Sequence, residues 1–384
     1  MREVLFLLAG VILGAVASLA CAVYFQDPWK AIVDRHSRLR RARAISRVHV
    51  EDQGPITIAG NLTTVYLVEG NGQMVLEPKN VAVSLRSARA LLPELVVAAR
   101  DKVKRQLAAS SHRSNQRVFS WNSTSMVALS DYKISRSLAR EDPVIRLETC
   151  LTDYATFAAT VLQLDKEIEK PIGQDDHLLS TLRREFFPTA ASITKSVRDP
   201  LPFLANGVGV MLLGFTDDNK VLLGRRHHES RARPGERDVS VVEGMDSNFD
   251  SDGTDRLDIY LTAVRGCREE LGITVAPEDI SILGFAVDMT YYQWNFLGLV
   301  ETRSTAAEVV ANQILHAKDR WEGKLEPVEL DPARIFERLQ QDKIWDLGLI
   351  TIYLALCKKC GVEPVRKAAE RTFGFSSPMP RWRR

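Results

Sequence analysis

The 384-residue chain lacks both the cysteine pattern of a disulfide scaffold and a marked excess of charge of either sign. Its five cysteines are scattered, which indicates a reducing compartment. A net charge of +2 gives no global reason to expect nucleic acid as a partner. The chain also shows neither an internal repeat nor a long low-complexity tract. It is long enough for two modest domains, or for one domain with appendages.

Two cysteines form a lone CxxC motif, Cys357 and Cys360, within the segment LGLITIYLALCKKC. The segment has the pattern of an amphipathic helix. A redox or zinc role is the alternative, but a four-ligand zinc site needs a second pair of ligands. We therefore interpret both cysteines as ordinary helix-packing residues.

One long apolar run is present, at residues 4–25 (VLFLLAGVILGAVASLACAVYF), and it carries no charge. About 20 such residues suffice to cross the hydrocarbon core of a bilayer. A cleaved signal peptide is the alternative, and the stretch ending at Cys21 has some likeness to a lipoprotein cleavage site. Only Arg2 precedes the run as a basic residue, whereas a signal peptide has a basic start. We favour a retained transmembrane anchor over residues 1–26.

The charges after this run predict its orientation. The segment 27–50 is basic, with Lys30, Arg35, Arg38, Arg40, Arg41, Arg43 and Arg47. Positive charge close to a membrane span stays on the cytoplasmic side. The chain is therefore expected to be a single-pass membrane protein whose carboxyl-terminal body is cytoplasmic, with the bilayer as a partner through this helix. Protein partners cannot be read from the sequence.

Residues 51–200 alternate between strand-like and helix-like pieces and predict a small α/β or α+β unit. The segments TTVYLVEG and QMVLEP are expected to pair as a hairpin across the turn signal Gly70-Asn71-Gly72. A helix is expected after a break at Pro93. No motif assigns this unit a chemical role.

Residues 201–360 have a sharper pattern of strand, turn and helix. NGVGVMLLGFTDDNKVLLGRR predicts two strands joined by a turn, and DVSVVEGM predicts a third. A helix is expected from about Thr254 to Leu271, with Gly272 ending it in the left-handed conformation. Two further strands and terminal helices follow. This order predicts an α/β (α+β) fold with a mixed sheet flanked by helices, followed by a polar basic tail at 361–384.

One stretch of this region resembles the Nudix hydrolase family. The family's box is a glycine, five residues, a glutamate, seven residues, then Arg-Glu-aliphatic-x-Glu-Glu-x-Gly-aliphatic. The second half is matched here by RGCREELGI, in which Arg265, Glu269, Glu270, Gly272 and Ile273 agree with the pattern. The resemblance covers roughly residues 203–345 and implies a Nudix-like mixed sheet.

The chain departs from the family pattern in two places. Gly266 stands where the family has the glutamate that follows the arginine. The upstream half also differs. The loop after Gly244 is longer than the family spacing, and Leu257 stands eight residues before Arg265, where the family has its first glutamate. Glycine inside a helix costs about 1 kcal/mol relative to alanine. Close packing of the backbone at Gly266, the approach of a ligand, or drift in an inactive site would each account for it.

The resemblance implies that Glu269 and Glu270 hold Mg²⁺ or Mn²⁺ against a diphosphate, with Arg265 pairing Glu269 to orient the box. The helix is expected to leave space beside Gly266, so that a carboxylate from outside the helix could replace the missing one. Glu243, at the end of a strand just before Gly244, is the first candidate, and Glu301 is the second. The catalytic residues are thus expected to be Glu243, Arg265 and Glu269.

A group of arginines follows the second strand, and Arg225, Arg226 and Arg237 are expected to bind substrate because a guanidinium forms a planar fork suited to phosphate. Two functions are compatible with these residues. One is a membrane-tethered, metal-dependent hydrolase of a nucleoside diphosphate linked to another group. The other is a catalytically degenerate domain that binds a nucleotide-like ligand as a sensor or membrane-bound scaffold. The hydrolase is the interpretation we favour.

Overall fold

The structure is a computed structural model, and it describes residues 55–111, 124–136, 142–169, 179–230, 232–251, 253 and 256–374. The strands are β1 (Thr57–Ile58), β2 (Asn61–Leu62), β3 (Val65–Gly70), β4 (Val81–Arg89), β5 (Val127–Arg136), β6 (Pro143–Leu151), β7 (Glu167–Glu169), β8 (Leu179–Thr181), β9 (Val208–Phe215), β10 (Lys220–Arg226), β11 (Arg237–Asp238), β12 (Val241–Gly244), β13 (Arg256–Leu257), β14 (Ile280–Asp288), β15 (Gln293–Glu301) and β16 (Gly323–Glu329). The α-helices are α1 (Glu94–Ser111), α2 (Tyr154–Ala159), α3 (Leu182–Phe186), α4 (Ala190–Arg198), α5 (Ile259–Gly266), α6 (Ala306–His316), α7 (Pro332–Gln340), α8 (Asp346–Cys360) and α9 (Val362–Phe373). Short 3₁₀ turns cover Pro78–Asn80, Val161–Gln163, Pro202–Leu204 and Pro277–Asp279, and a π-helical turn covers Cys267–Leu271. The chain is thus a mixed α/β protein, as its sequence predicts.

A mixed sheet forms the centre of the molecule, in the order β11-β10-β9-β15-β14-β3, with β12 also pairing β9 and β16 pairing β10. The pairing of β9 with β15 is parallel, and the other pairings in this sheet are antiparallel. Every residue of β9 is buried, because this apolar strand is covered on both faces. Alternate residues of β9 therefore point into two separate cores.

The two cores are built from different elements. Val210 and Leu212 of β9 belong to a core shared with α5 and the amino-terminal region. Met211 and Leu213 belong to a core shared with α7, α8 and α9. Helix α8 packs on β9, β14 and β15, and Cys357 is buried on it, consistent with a packing role. The segment 361–384, expected as a polar tail, contains helix α9, which packs against α7 and α8.

A second sheet has the order β13-β4-β6-β5. Strands β4, β5 and β6 come from the amino-terminal region, as expected of a small α/β unit. Strand β13 comes from the stretch between Gly244 and α5, and its Arg256 and Leu257 pair with Ser84 and Val83 of β4. The amino-terminal unit and the carboxyl-terminal region therefore share a sheet.

The hairpin predicted across Gly70-Asn71-Gly72 does not form, and that prediction is wrong. Strand β3 pairs with β14 instead, and Leu76 forms an isolated bridge with Ile282 of the same strand. The two segments thus follow one another along β14 rather than facing each other. Helix α1 does begin directly after Pro93, as expected.

None of the helices in the described parts of the chain is long and apolar enough to cross a membrane. The predicted anchor at residues 4–25 and the basic segment 27–50 lie outside the described residues. The orientation derived from them stays a prediction.

Candidate metal centre

The helix that carries the candidate residues begins later than expected. Asp258 is its N-cap, and its carboxylate accepts from the backbone N–H of Tyr260 at 2.8 Å. The predicted start at Thr254, which itself lies outside the described residues, is therefore wrong. The helix passes into the π-helical turn at Cys267. Gly272 ends it in the left-handed conformation, with φ of 68°, as predicted.

The carboxylates of Glu243, Glu269 and Asp319 lie together, each offering an oxygen within 4.8 Å of the others. They come from three separate elements: strand β12, the π-helical turn and the loop after α6. The backbone N–H of Asp319 donates to the carbonyl of Glu269 at 2.9 Å, which holds the two acids together. We call Glu243, Glu269 and Asp319 the acid cluster. Asp319 was not predicted, because it carries no motif that marks it in the sequence.

Arg265 is the cation at the centre of this arrangement. Its Nη1 lies 2.8 Å from Oε1 of Glu243, whereas the distance to Oε2 of Glu269 is 3.7 Å. Its Nε and Nη2 each donate to Asp250 at 2.8 Å. The predicted pairing with Glu269 is therefore the longest of these contacts, and Glu243 and Asp250 are the main partners. Burial by itself would lower the pKa of Arg265. The hydrogen bonds with Asp250 and Glu243 outweigh this effect and raise the pKa.

Gly266 lies against strand β12, and the expected space beside it is absent. A Cβ added at Gly266 would come within 2.7 Å of Cγ1 of Val241 and 2.8 Å of Cβ of Glu243. The missing side chain is what lets the strand approach the helix. Glu243 occupies the place that a larger residue at 266 would need. The glycine is thus explained by close packing rather than by drift.

Glu270 is hydrogen-bonded to the backbone of β12. Its Oε1 accepts from the N–H of Val242 at 2.8 Å. Burial and the nearby charge of Glu243 raise its pKa well above the ordinary range. The paired glutamates of the motif therefore have different partners. Glu269 belongs to the acid cluster, whereas Glu270 links the helix to strand β12.

Burial also raises the pKa of two members of the acid cluster. It raises the pKa of Glu243 to about 7, although Arg265 opposes the shift. It raises the pKa of Asp319 to about 6, with the charge of Glu322 adding to the effect. Lys318 stands at the rim, where its Nζ lies 3.0 Å from Oε2 of Glu269 while its side chain is 66% exposed. Desolvated acids of this kind bind cations in place of protons.

The three predicted substrate-binding arginines lie in different environments. Arg226 lines a narrow cleft of about 40 Å³ together with Glu270 and Asp319. The side chain of Arg237 is 1% exposed and pairs with Glu326 and with Asp342.

Arg225 lines the same cleft but also pairs with Asp342, at 2.5 Å. The side chain of Arg225 is 41% exposed and that of Arg226 is 18% exposed, whereas the burial of Arg237 makes it a structural residue. Glu301, the second candidate for the missing acid, is 54% exposed and pairs with Lys359 at 2.8 Å.

Comparison with known proteins leaves the family open. No family model and no curated protein matches the chain. Among solved structures, the chain is similar to DR0079 from Deinococcus radiodurans, with 15% identity over 38% of this chain and 81% of that chain. The TM-score is 0.27, so this likeness carries no argument about fold or function. No family is shown.

Proposed function

We propose that the chain is a metal-dependent hydrolase of the Nudix type that cleaves a diphosphate bond. The observation that carries this proposal is the acid cluster, in which three carboxylates from three elements lie within 4.8 Å of one another. One of the three, Glu243, comes from the strand beside Gly266. Glu243 would thus supply a carboxylate beside Gly266, the position at which this chain lacks the glutamate of the Nudix motif. A Nudix-like mixed sheet flanked by helices is part of the same proposal.

The donor atoms suit Mg²⁺ or Mn²⁺. Both are hard cations that prefer carboxylate oxygen, and magnesium commonly keeps several waters beside one or two carboxylates. Glu243, Glu269 and Asp319 would hold the ion, with Asp319 in the role first given to Glu270. Bound there, the metal would neutralise phosphate oxygens and lower the pKa of a bound water.

The remaining residues position the reacting groups. Arg265 holds the carboxylate of Glu243 at 2.8 Å and thereby fixes its orientation. Lys318 and Arg226, at the rim and in the cleft, are placed to contact the diphosphate. The substrate class is a nucleoside diphosphate linked to another group. The predicted amino-terminal helix would tether the chain to the membrane with its body in the cytoplasm.

A specific observation also favours the second function, a nucleotide-binding sensor or scaffold without turnover. The ammonium group of Lys318 pairs with Glu269, and Arg265 pairs with Glu243, so two of the three carboxylates of the acid cluster already have a cationic partner. The cleft beside it, of about 40 Å³, is too small to enclose a nucleotide. In this second function the ligand would bind across the surface.

Turnover of a panel of nucleoside diphosphate derivatives with magnesium or manganese tests the proposal. Glu243→Gln should lower turnover at least ~100-fold, the lower range for loss of a positioned acid or base. Glu301→Gln is the matched control, because Glu301 is an exposed strand-end acid paired with Lys359. If no derivative is hydrolysed while a nucleotide binds with micromolar affinity, the hydrolase is excluded and the sensor is supported.

A further inference from the structure

A buried aspartate lies behind the acid cluster. The loop 245–251 follows β12 and carries Asp250, whose side chain is 0% exposed. Its two carboxylate oxygens accept from Nε and Nη2 of Arg265, each at 2.8 Å. They also accept from the hydroxyl of Thr262 at 2.9 Å and from the N–H of Asp246 at 2.8 Å. A buried carboxylate satisfied by this many donors holds its partner in one orientation.

The same guanidinium reaches the acid cluster with its other edge. Nη1 of Arg265 pairs with Glu243 at 2.8 Å, and Nη2 also donates to the carbonyl of Gly244 at 2.7 Å. Arg265 therefore bridges Asp250 on one side and Glu243 on the other. A planar guanidinium fixed along one edge has little freedom to rotate at the other. The position of Glu243 thus depends on Asp250 through one intervening residue.

The amino-terminal unit holds the loop that carries Asp250. The hydroxyl of Ser125 donates to Asp246 at 2.6 Å, and the N–H of Ser247 donates to the carbonyl of Ser125 at 2.8 Å. Met126 forms a β-bridge with Asp246. Beyond the loop, strand β13 is paired with β4. The extra length after Gly244 therefore connects the candidate centre to the amino-terminal unit.

We infer that Asp250 is a positioning residue of the candidate metal centre, acting through Arg265 on Glu243, and that the amino-terminal unit holds its loop in place. This inference rests on the proposed metal site. The charge of Asp250 offsets that of Arg265, so a divalent cation meets less repulsion at the acid cluster. Without that charge, the arginine would compete with the cation for Glu243.

Magnesium titration of the full chain by calorimetry tests the inference. Asp250→Asn keeps the side-chain volume and removes the charge, and should weaken magnesium binding at least ~10-fold. In a Glu243→Gln background, the same change should weaken binding less than ~2-fold, since interacting residues are not additive. Glu301→Gln is the matched control: it also removes one carboxylate charge, but at an exposed acid paired with Lys359, and should leave magnesium affinity unchanged.

The outcomes separate the inference from the function on which it rests. If the unsubstituted chain binds no magnesium, the metal site fails and the inference fails with it. Two results would overturn the inference alone, provided that the unsubstituted chain binds magnesium. Asp250→Asn could bind magnesium as tightly as the unsubstituted chain, or it could weaken magnesium binding by the same factor with and without Glu243→Gln. Should Asp250→Asn not fold, Ser125→Ala gives the second test. Loosening the loop through Asp246 should weaken magnesium binding, and an unchanged affinity would refute the inference.

Discussion

Replacing Gly266 with alanine tests whether close packing of helix and strand builds the candidate centre. On an isolated helix the change would be stabilising by about 1 kcal/mol. Here the added Cβ would lie 2.7 Å from Val241 and 2.8 Å from Cβ of Glu243. Overpacking of this kind costs about 1–3 kcal/mol. We therefore expect Gly266→Ala to destabilise the chain by a net of up to ~2 kcal/mol.

The effect on activity should exceed the effect on stability. To reach a carbon–carbon contact of ~3.5 Å, Glu243 must move by about 0.7 Å. A misplacement approaching 1 Å can cost on the order of 100-fold in rate, so we expect a loss of about 10- to 100-fold with magnesium. Urea denaturation measures the first effect, and steady-state turnover of any derivative that the chain hydrolyses measures the second.

Gly244→Ala is the matched control for this experiment. A Cβ added at Gly244 meets no atom within 4 Å, and Gly244 is not among the glycines with positive φ. It should change stability by less than about 0.5 kcal/mol. If Gly266→Ala instead raises stability and leaves the magnesium response intact, the packing explanation for this glycine is refuted.

Three side chains and the amino terminus give further predictions. Burial raises the pKa of Glu243 from an ordinary 4.5 to about 7, so the metal-free fold keeps a proton that the unfolded chain releases. The contribution of Glu243 to the free energy of unfolding should therefore fall by up to about 3 kcal/mol as the pH rises from 4.5 through 7. Urea midpoints at pH 5 and pH 8 measure the total fall, and Glu243→Gln should reduce it without abolishing it, because burial also raises the pKa values of Asp319 and Glu270. Asp319→Asn should abolish a magnesium-induced rise in melting temperature, and an unchanged rise would place the metal elsewhere. Arg237→Met should destabilise the fold by about 1–2 kcal/mol in urea denaturation, because Glu326 and Asp342 lose one charged partner each while Arg338 and Arg225 still pair with them. A loss of turnover without a loss of stability would contradict the structural role. A reporter fused to the carboxyl terminus should be cytoplasmic and membrane-associated, whereas a secreted form cleaved near Ala20 would rule out the anchor.

The elements that sequence reasoning placed well are those with strong local signals. The continuous apolar run of β9 marks a strand buried on both faces. Gly272 ends its helix as predicted, because the left-handed conformation favours glycine. These features depend on neighbouring residues in the chain, so one sequence suffices to find them.

The features that sequence reasoning missed depend on distant residues. The partner of β3 is β14, about 200 residues away, so a local turn signal gave the wrong pairing. Asp319 enters the candidate centre from a loop outside the motif and Asp250 from the lengthened loop after Gly244, and neither has a neighbouring residue that marks it. The prediction of free space beside Gly266 was wrong, because helix periodicity does not indicate how closely strand β12 approaches the helix.

The pairing of β3 with β14 has a consequence for how the chain is made. Strand β3 leaves the ribosome about 200 residues before the strand that completes it. At about 5 to 20 residues per second, the wait is roughly 10 to 40 s. During that time β3 presents unpaired backbone groups and apolar side chains such as Val65 and Tyr66, which are buried in the finished protein. The pairing of β3 with β14 therefore forms late in synthesis, once β14 has left the ribosome.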